Sequence, residues 1–552
     1  MVSRMRVSSA TADRASTGRR LDVVVIVALA LLATATAAIG LGRGFWGDEA
    51  MTASAVQRTL PRTVAMLDAA DGGIAGYLVL MNGWAHVAGS SEIALRLPSL
   101  VAVLVAIVGG GLLGRRLAGP VAGVTATVIL AVHSQLVGVY ATEARPYALV
   151  AAATVIAAHA ALSISRGGLG PRPASAFAIA ASAAVALHFF AVLSILPLYL
   201  WVLLGARRRR QVGSIAVVVV PVVGVAAMMA VLATRTFLQN WLPPVGIRDG
   251  FAVMASLCSP LAAFVLIVGL VAISVVRTRA GSITRAITCA RTDLVVLVVW
   301  AVGPVAILFC YSLIARPALL ARYALPSTIA WAVLAGVVMA VAVSTIWPRP
   351  EGVGRMDRRL SVAAVSAGVV LVVGVVAVTG GPVSKTKKED LRAAADWIGE
   401  SAAARPGSSA VAFAPRWAEP GLRWYLWEGP RSGDRDHRVS LLGAARVEGG
   451  PVVTDVPAVG QLAVQADSLW TPSTWPDTEA VVQSRRRWAE ATVGLRTVYL
   501  VGRTDADPCD AGAAIWEPVA DTGCGIVGAL RAGWHPRERV TFGDTAVQMW
   551  TR

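Results

Sequence analysis

Charge is what this chain has least of. Acidic and basic residues make up 15% of its 552 positions while 56% are hydrophobic, and a soluble domain runs near roughly a quarter charged. An ordinary soluble globular protein is therefore excluded. Lysine is nearly missing, with three in all, at Lys385, Lys387 and Lys388. The formal charge of +17 would by itself suggest a nucleic-acid partner. Yet residues 385–552 hold 20 basic against 21 acidic side chains, so the whole excess belongs to the apolar first 384 residues. There it falls into short arginine clusters between hydrophobic runs, which is a membrane-topology pattern and leaves no reason to invoke DNA or RNA. Acids are missing from the centre of every long run, which argues against a proton-relay transporter. The sequence also lacks a zinc-ligand spacing, a P-loop, a GxSxG elbow and a dinucleotide fingerprint, so a nucleotide-linked donor has no support.

What the sequence has is apolar length. Runs long enough to cross about 30 Å of hydrocarbon as helices lie near 21–41, 93–114, 119–138, 147–165, 174–188, 190–206, 213–233, 251–276, 293–315, 323–346 and 360–381. The division at His188-Phe189-Phe190 splits what is otherwise one long run. Placing the N-terminus in the cytoplasm puts 21 arginines in inner loops and 8 in outer ones, the bias that fixes orientation. The expected fold is a polytopic α-helical membrane protein of about eleven transmembrane helices with a C-terminal extracytoplasmic α/β domain. Residues 1–20 form a basic cytoplasmic N-terminus, 21–382 the membrane module with a long outer loop at 42–92, and 383–552 the outer domain. A signal peptide cleaved near Ala33-Thr34-Ala35 is the competing reading of the first run, whose apolar stretch is longer than a usual signal core.

Asp48, Glu49, Asp68, Asp71, Glu92, Glu143 and Asp249 all fall on the outer side, where chemistry is to be sought. Asp48 and Glu49 follow the first span in Gly44-Phe45-Trp46-Gly47-Asp48-Glu49. One of the two carboxylates is suited to act as a base on a substrate hydroxyl; the plainer alternative is a pair of acids favourable to a helix N-terminus. Asp71-Gly72-Gly73-Ile74-Ala75-Gly76-Tyr77 follows in the same loop, Glu143-Ala144-Arg145-Pro146-Tyr147 lies between the third and fourth spans, and Arg322-Tyr323-Ala324-Leu325-Pro326 opens the tenth. Arg145 and Arg322 are two of few outer arginines, and a forked guanidinium suits a phosphate. A loop salt bridge or snorkelling to a headgroup is their alternative. His188 and Tyr147 are further binding candidates, with interfacial packing the simpler explanation for His188. Trp46, Trp84 and Trp241 suit sugar stacking and an interfacial aromatic belt equally.

In order and outer placement these motifs resemble the GT-C superfamily of polyprenyl-phosphate-sugar-dependent membrane glycosyltransferases, in particular the glycosyltransferase family 39, protein mannosyltransferase and aminoarabinose transferase-like group, over about residues 20–345. The resemblance implies an inverting transferase that moves a sugar, mannose or arabinose-like, from a polyprenyl monophosphate to an extracytoplasmic glycan, lipid or protein acceptor in cell-envelope synthesis. It places Asp48 as base, Glu49 in orientation or cation contact, Arg145 and Arg322 on the lipid phosphate, and Asp71, Tyr77, Glu143, Tyr147, His188 and Tyr323 around donor or acceptor. No cofactor is required by this reading, and a divalent cation is left open. Where relatives carry a His or Pro soon after the second Asp and then an aromatic pair, this chain has Ile74 and Leu78. That departure takes a metal ligand out of the loop and points to a changed acceptor or reduced activity.

In the tail, Leu391, Ala394, Ala395 and Ile398 predict a helix, Val411-Ala412-Phe413 and Val498-Tyr499-Leu500-Val501 predict buried strands, and a helix is expected near 479–491. Cys509 and Cys524, the only cysteines there, suit a disulfide in an oxidising compartment. Trp417, Trp424, Tyr425 and Trp427 suit core packing more readily than a glycan groove. Two other functions compete with transfer: a lipid or solute transporter or flippase, which would show symmetric halves, and a catalytically silent envelope scaffold.

Overall fold

The structure is a computed structural model, and it describes residues 21–67, 72–235, 244–279, 291–346, 390–405, 408–413, 421–422, 424–428, 439–441, 494–503, 530–531 and 533–552. The predicted eleventh span, the helix near 479–491, Asp71, Trp241 and the Cys509–Cys524 pair lie outside the described residues.

The chain begins with α1 (Leu21–Ala38), then three shorter helices, α2 (Gly47–Val56), α3 (Leu60–Leu67) and α4 (Ala75–Ala88). Next come α5 (Glu92–Ala118), α6 (Pro120–Ala131), α7 (Tyr147–Gly167), α8 (Pro171–Leu187), and the pair α9 (Ala191–Ile195) and α10 (Tyr199–Arg208) joined by one tighter turn. The apolar part continues through α11 (Ala216–Arg235), α12 (Ile247–Cys258), α13 (Pro260–Arg279), α14 (Arg291–Ile314) and α15 (Ser327–Ile346). Among the described residues seven helices are long and apolar enough to cross a membrane, or nine if each of two bent pairs is one span. The expected span 174–188 falls on α8, an apolar helix shorter than these. They are helices because a backbone in hydrocarbon must satisfy its own N–H and C=O groups.

Contacts divide the chain into two compact units. The first holds α1, most of α5 and the helices from α6 to α15 apart from the end of α11. Small residues bring its helices together. A Cβ added to Gly109 in α5 would lie 2.7 Å from a Val155 methyl, and one on Gly110 2.5 Å from a Leu130 methyl, the close approach that membrane helices use in place of a hydrophobic driving force. Acids at span ends are paired: Asp22 with Arg115 at 2.5 Å, and Asp293 with the Trp201 indole N–H at 2.8 Å. Two helix pairs are bent at a short break. One bends by 49° after Ala131, the other by 82° at Ser259, whose φ of 63° no regular helix allows. His133 braces both breaks: its Nδ1 accepts from the Leu136 N–H at 3.3 Å, leaving Nε2–H to donate to the Leu257 carbonyl at 3.1 Å.

The second unit combines residues 42–95 and 231–243 with 385–552. Its sheet has five strands, β1 (Ser408–Phe413), β2 (Val439–Leu441), β3 (Leu495–Arg503), β4 (His535–Phe542) and β5 (Thr545–Thr551), in the order β2-β1-β3-β5-β4. The first three run parallel, and the β4–β5 hairpin adds two antiparallel strands. Helix α16 (Leu391–Ala403) starts at Asp390, whose carboxylate accepts from the Ala393 N–H at 3.2 Å. It buries Leu391, Ala394, Ala395, Ile398 and Ala402 at helical spacing, and its Trp397 meets the Tyr499 ring edge to face at 5.8 Å. Trp424 and Tyr425 are buried, as core packing requires. In the 42–95 segment, the Asn82 amide donates to the Arg58 carbonyl at 2.8 Å and so holds α4 against the end of α2.

Candidate functional site

The candidate residues fall into both units, and each set is built by its own local chemistry. In the first unit, residues 140–146 make a tight passage into α7. A short 3-10 turn (Tyr140–Thr142) ends at Glu143, which is extended, with φ −111° and ψ 130°. The Arg145 N–H then donates to the Glu143 carbonyl at 2.9 Å, and the Ser99 hydroxyl donates to the Arg145 carbonyl at 3.4 Å. Pro146 occupies the N-cap of α7, a position that needs no N–H. Arg145 and Tyr147 are thereby fixed at the N-terminal end of a 21-residue helix, where unpaired backbone N–H groups carry partial positive charge. Glu143, Arg145 and Tyr147 are all buried.

Three stretches distant in sequence meet there. Tyr147 touches Tyr140 edge to face at 5.3 Å, His188 at 5.5 Å and Tyr323 at 6.4 Å between ring centres. His188 lies 5.0 Å from Tyr323, and Phe190 stacks on Tyr323 at 4.7 Å with planes 23° apart. The Arg322 guanidinium sits 5.6 Å from the centre of the Tyr147 ring and 5.7 Å from that of Tyr323, a doubled cation–π contact. His188 occupies the break between α8 and α9, and its Nδ1 accepts from the Phe190 N–H at 3.2 Å. In the neutral ring the proton is then on Nε2, which becomes a donor. Both Arg145 and Arg322 lie near enough to act on the imidazole through their charge. Two guanidinium groups, a helix N-terminus, three phenols and an imidazole are thus gathered, with Glu143 two residues before Arg145. The assembly has the chemistry of an anion site.

In the second unit, Trp46 is the N-cap of α2, which puts Asp48 and Glu49 in its first turn. Glu49 is buried and accepts from the Trp46 N–H at 3.4 Å, while Asp48 is half-buried. Glu49 therefore caps the first turn of the helix. Tyr77 lies fully buried in α4. Among the described residues no three His, Cys, Asp or Glu side chains gather as a metal-ligand set.

Sequence reasoning picked out Arg145, Tyr147, His188, Arg322 and Tyr323, and the structure brings these five together. It passed over Phe190, although the His188-Phe189-Phe190 break was visible. It placed Glu92 on the outer side, read Tyr425 as core packing and passed over Arg392. These three form a buried junction in the second unit. The Tyr425 hydroxyl accepts from the Phe45 N–H at 2.6 Å and donates to a Glu92 carboxylate oxygen at 3.1 Å, and Arg392 pairs with the same oxygen. Burial, with the Glu92 charge behind it, pushes the Tyr425 phenol well above its ordinary pKa.

No family model matches the sequence, and no curated protein matches it. Among solved structures the chain shares its fold with ArnT from Cupriavidus metallidurans. The apo state aligns at a TM-score of 0.54 with 15% identity, over 97% of this chain and 98% of that one. The crystal structure bound to undecaprenyl phosphate aligns at 0.50 with 14% identity, over 96% and 97%. The arabinosyltransferase EmbB from Mycobacterium smegmatis aligns over 67% of this chain and 42% of that one, at a TM-score of 0.37 and 14% identity. The fold is thus the one seen in the two ArnT structures.

Proposed function

We propose that this multi-pass membrane protein is an inverting glycosyltransferase that takes a sugar, mannose or arabinose-like, from a polyprenyl monophosphate and passes it to an extracytoplasmic glycan, lipid or protein acceptor. The observation that carries the reading is the gathering of Arg145, Arg322, His188, Tyr147 and Tyr323 at the N-terminus of α7. It occurs in a fold shared along nearly its full length with a protein crystallised with undecaprenyl phosphate.

The roles follow from charge and geometry. Arg145 and Arg322 hold the phosphate, with Arg322 oriented by the two tyrosine rings. His188 offers its Nε2–H to a phosphate or sugar oxygen. Asp48 takes the proton from the acceptor hydroxyl, whose oxygen attacks the anomeric carbon from the face opposite the phosphate. The carbon–oxygen bond to phosphate breaks, and the electron pair leaves with polyprenyl phosphate, whose new charge the two arginines stabilise. Neutralised phosphate is a sufficient leaving group, so orientation and a base are what the protein must supply. Glu49 orients the Asp48 turn or contacts a divalent ion, and Asp71, Tyr77 and Glu143 contact donor or acceptor. The reading places the N-terminus in the cytoplasm and residues 383–552 outside, where a Cys509–Cys524 disulfide forms.

The test is transfer by the purified full chain in proteoliposomes offered a panel of radiolabelled polyprenyl-phosphate sugars. Label should move from the polyprenyl phosphate to an acceptor in the wild type and not in Asp48→Asn. Wild-type turnover by that variant would remove Asp48 from the mechanism, and failure with every donor would remove the function.

A further inference from the structure

Within the second unit, Arg392 and Tyr425 tie the segment that carries Asp48 and Glu49 to the C-terminal region. Arg392, in the first turn of α16, donates to the Gly42 carbonyl at 3.0 Å and pairs with Glu92, the first residue of α5. Tyr425 bridges the same Glu92 to the Phe45 N–H. Residues 42–45 begin the segment and Glu92 ends it, so both ends are gathered by the same two side chains. The Phe45 ring is fully buried against Trp424 at 5.9 Å and Tyr425 at 6.3 Å, and the Arg392 guanidinium lies 5.7 Å from the centre of the Tyr425 ring. The backbone also approaches closely: a Cβ on Gly44 would stand 3.1 Å from the Arg392 Cβ.

Only Trp46 and Gly47 separate Phe45 from Asp48, and Trp46 is itself bonded to Glu49. A displacement of Phe45 therefore passes directly into the first turn of α2. Apolar packing alone would hold the two parts together without setting their register. Directional bonds to a buried carboxylate fix one pose.

We propose that Tyr425 and Arg392, acting through Glu92 and Phe45, are positioning residues for the transfer reaction, and that the C-terminal α/β region serves to set the placement of the Asp48 carboxylate. This rests on the reading of Asp48 as the base. Tyr425 and Arg392 touch neither donor nor acceptor in this scheme. Their loss should slow the chemical step and leave donor binding nearly intact, since misplacing a base by a fraction of an ångström raises the barrier without removing a binding contact.

Two readouts on the full chain in proteoliposomes decide the matter. Tyr425→Phe should lower kcat about 10- to 100-fold with the donor KM within about threefold of wild type. Arg392→Lys, which keeps the charge and loses the fork, should fall between Tyr425→Phe and wild type. Independently, amide hydrogen exchange without substrate should quicken across residues 44–56 in Tyr425→Phe while residues 495–503 stay protected, which shows that the sheet is intact. Gly44→Ala, which pushes the backbone off α16, should give the same exchange pattern if Tyr425→Phe fails to fold. Wild-type exchange at 44–56, or wild-type kcat in Tyr425→Phe, would overturn the proposal. Faster exchange in a protein that transfers no sugar at all would instead locate the failure in the assigned function and take the positioning role with it.

Discussion

At the residue scale, Arg145 and Arg322 carry the same charge but are held differently. The Arg145 backbone is fixed by bonds to Glu143 and Ser99, whereas the Arg322 head is placed by two aromatic faces. Substitution by lysine keeps the charge and discards both the fork and the stacking. Arg322→Ala should raise the donor KM by about tenfold or more, in line with the ~1.5–3 kcal/mol of a charge-assisted hydrogen bond, and Arg322→Lys should restore only part of the loss. Steady-state transfer kinetics check this, and an unchanged KM in Arg322→Ala would detach that residue from the phosphate.

A second residue-scale prediction concerns alkaline stability. The buried Tyr425 phenol has a folded pKa raised above its unfolded value, so above the unfolded pKa the folded chain holds a proton that the unfolded chain has released. That contribution to stability is present below pH ~10 and is lost as pH rises from there toward the folded pKa. Melting temperature measured between pH 9 and 11 should fall more steeply in wild type than in Tyr425→Phe. Equal slopes would show that the phenol titrates normally.

At the scale of elements, α5 is set by its glycines. Added methyl groups at Gly109 and Gly110 would meet Val155 and Leu130 inside ordinary contact distance, whereas one on Gly83 in α4 would meet nothing within 4 Å. Gly110→Ala should therefore lower the melting temperature in detergent, by an amount corresponding to about 1–3 kcal/mol of overpacking. Gly83→Ala, which removes helix flexibility in open space, should be neutral or stabilising by about 0.5–1 kcal/mol. Reversal of that order would mean that α5 is not packed as described. The breaks are also properties of elements. Pro260 follows Ser259, and Ser259 adopts a backbone conformation that stops a helix, so the bend follows from local residues, while His133 shows that the two breaks are braced together.

At the scale of the whole molecule, the arginine bias leads to a prediction about sidedness. A reporter enzyme that is active only outside the cytoplasm should work when fused after Arg552 and fail when inserted after Arg210. The reverse pattern would invert the proposed topology and put Asp48 on the wrong side for an extracytoplasmic acceptor.

Most of the helical layout was legible beforehand. Hydrocarbon demands contiguous apolar residues, and that demand is written locally, down to the interruption at His188. The helix Leu391–Ala403 and strands β1 and β3 were legible for the same reason, their periodicity being local. The β4–β5 hairpin was not, because the exposed and charged β4 carries little of the apolar signal by which a buried strand is recognised. In the site, Arg145 and Arg322 stood out because outer loops otherwise hold few arginines, and His188 because it interrupts an apolar run.

The sequence by itself therefore determined that this is a membrane protein, where its helices run and which polar side chains demanded a partner. Only the tertiary structure decided which partners those were. Tyr147, His188 and Tyr323 come together across 176 residues, and Phe45 and Tyr425 across 380. Periodicity and composition act over a few turns of chain, whereas a hydrogen bond or ring contact between distant segments depends on how whole helices and strands pack, and no local pattern encodes that choice.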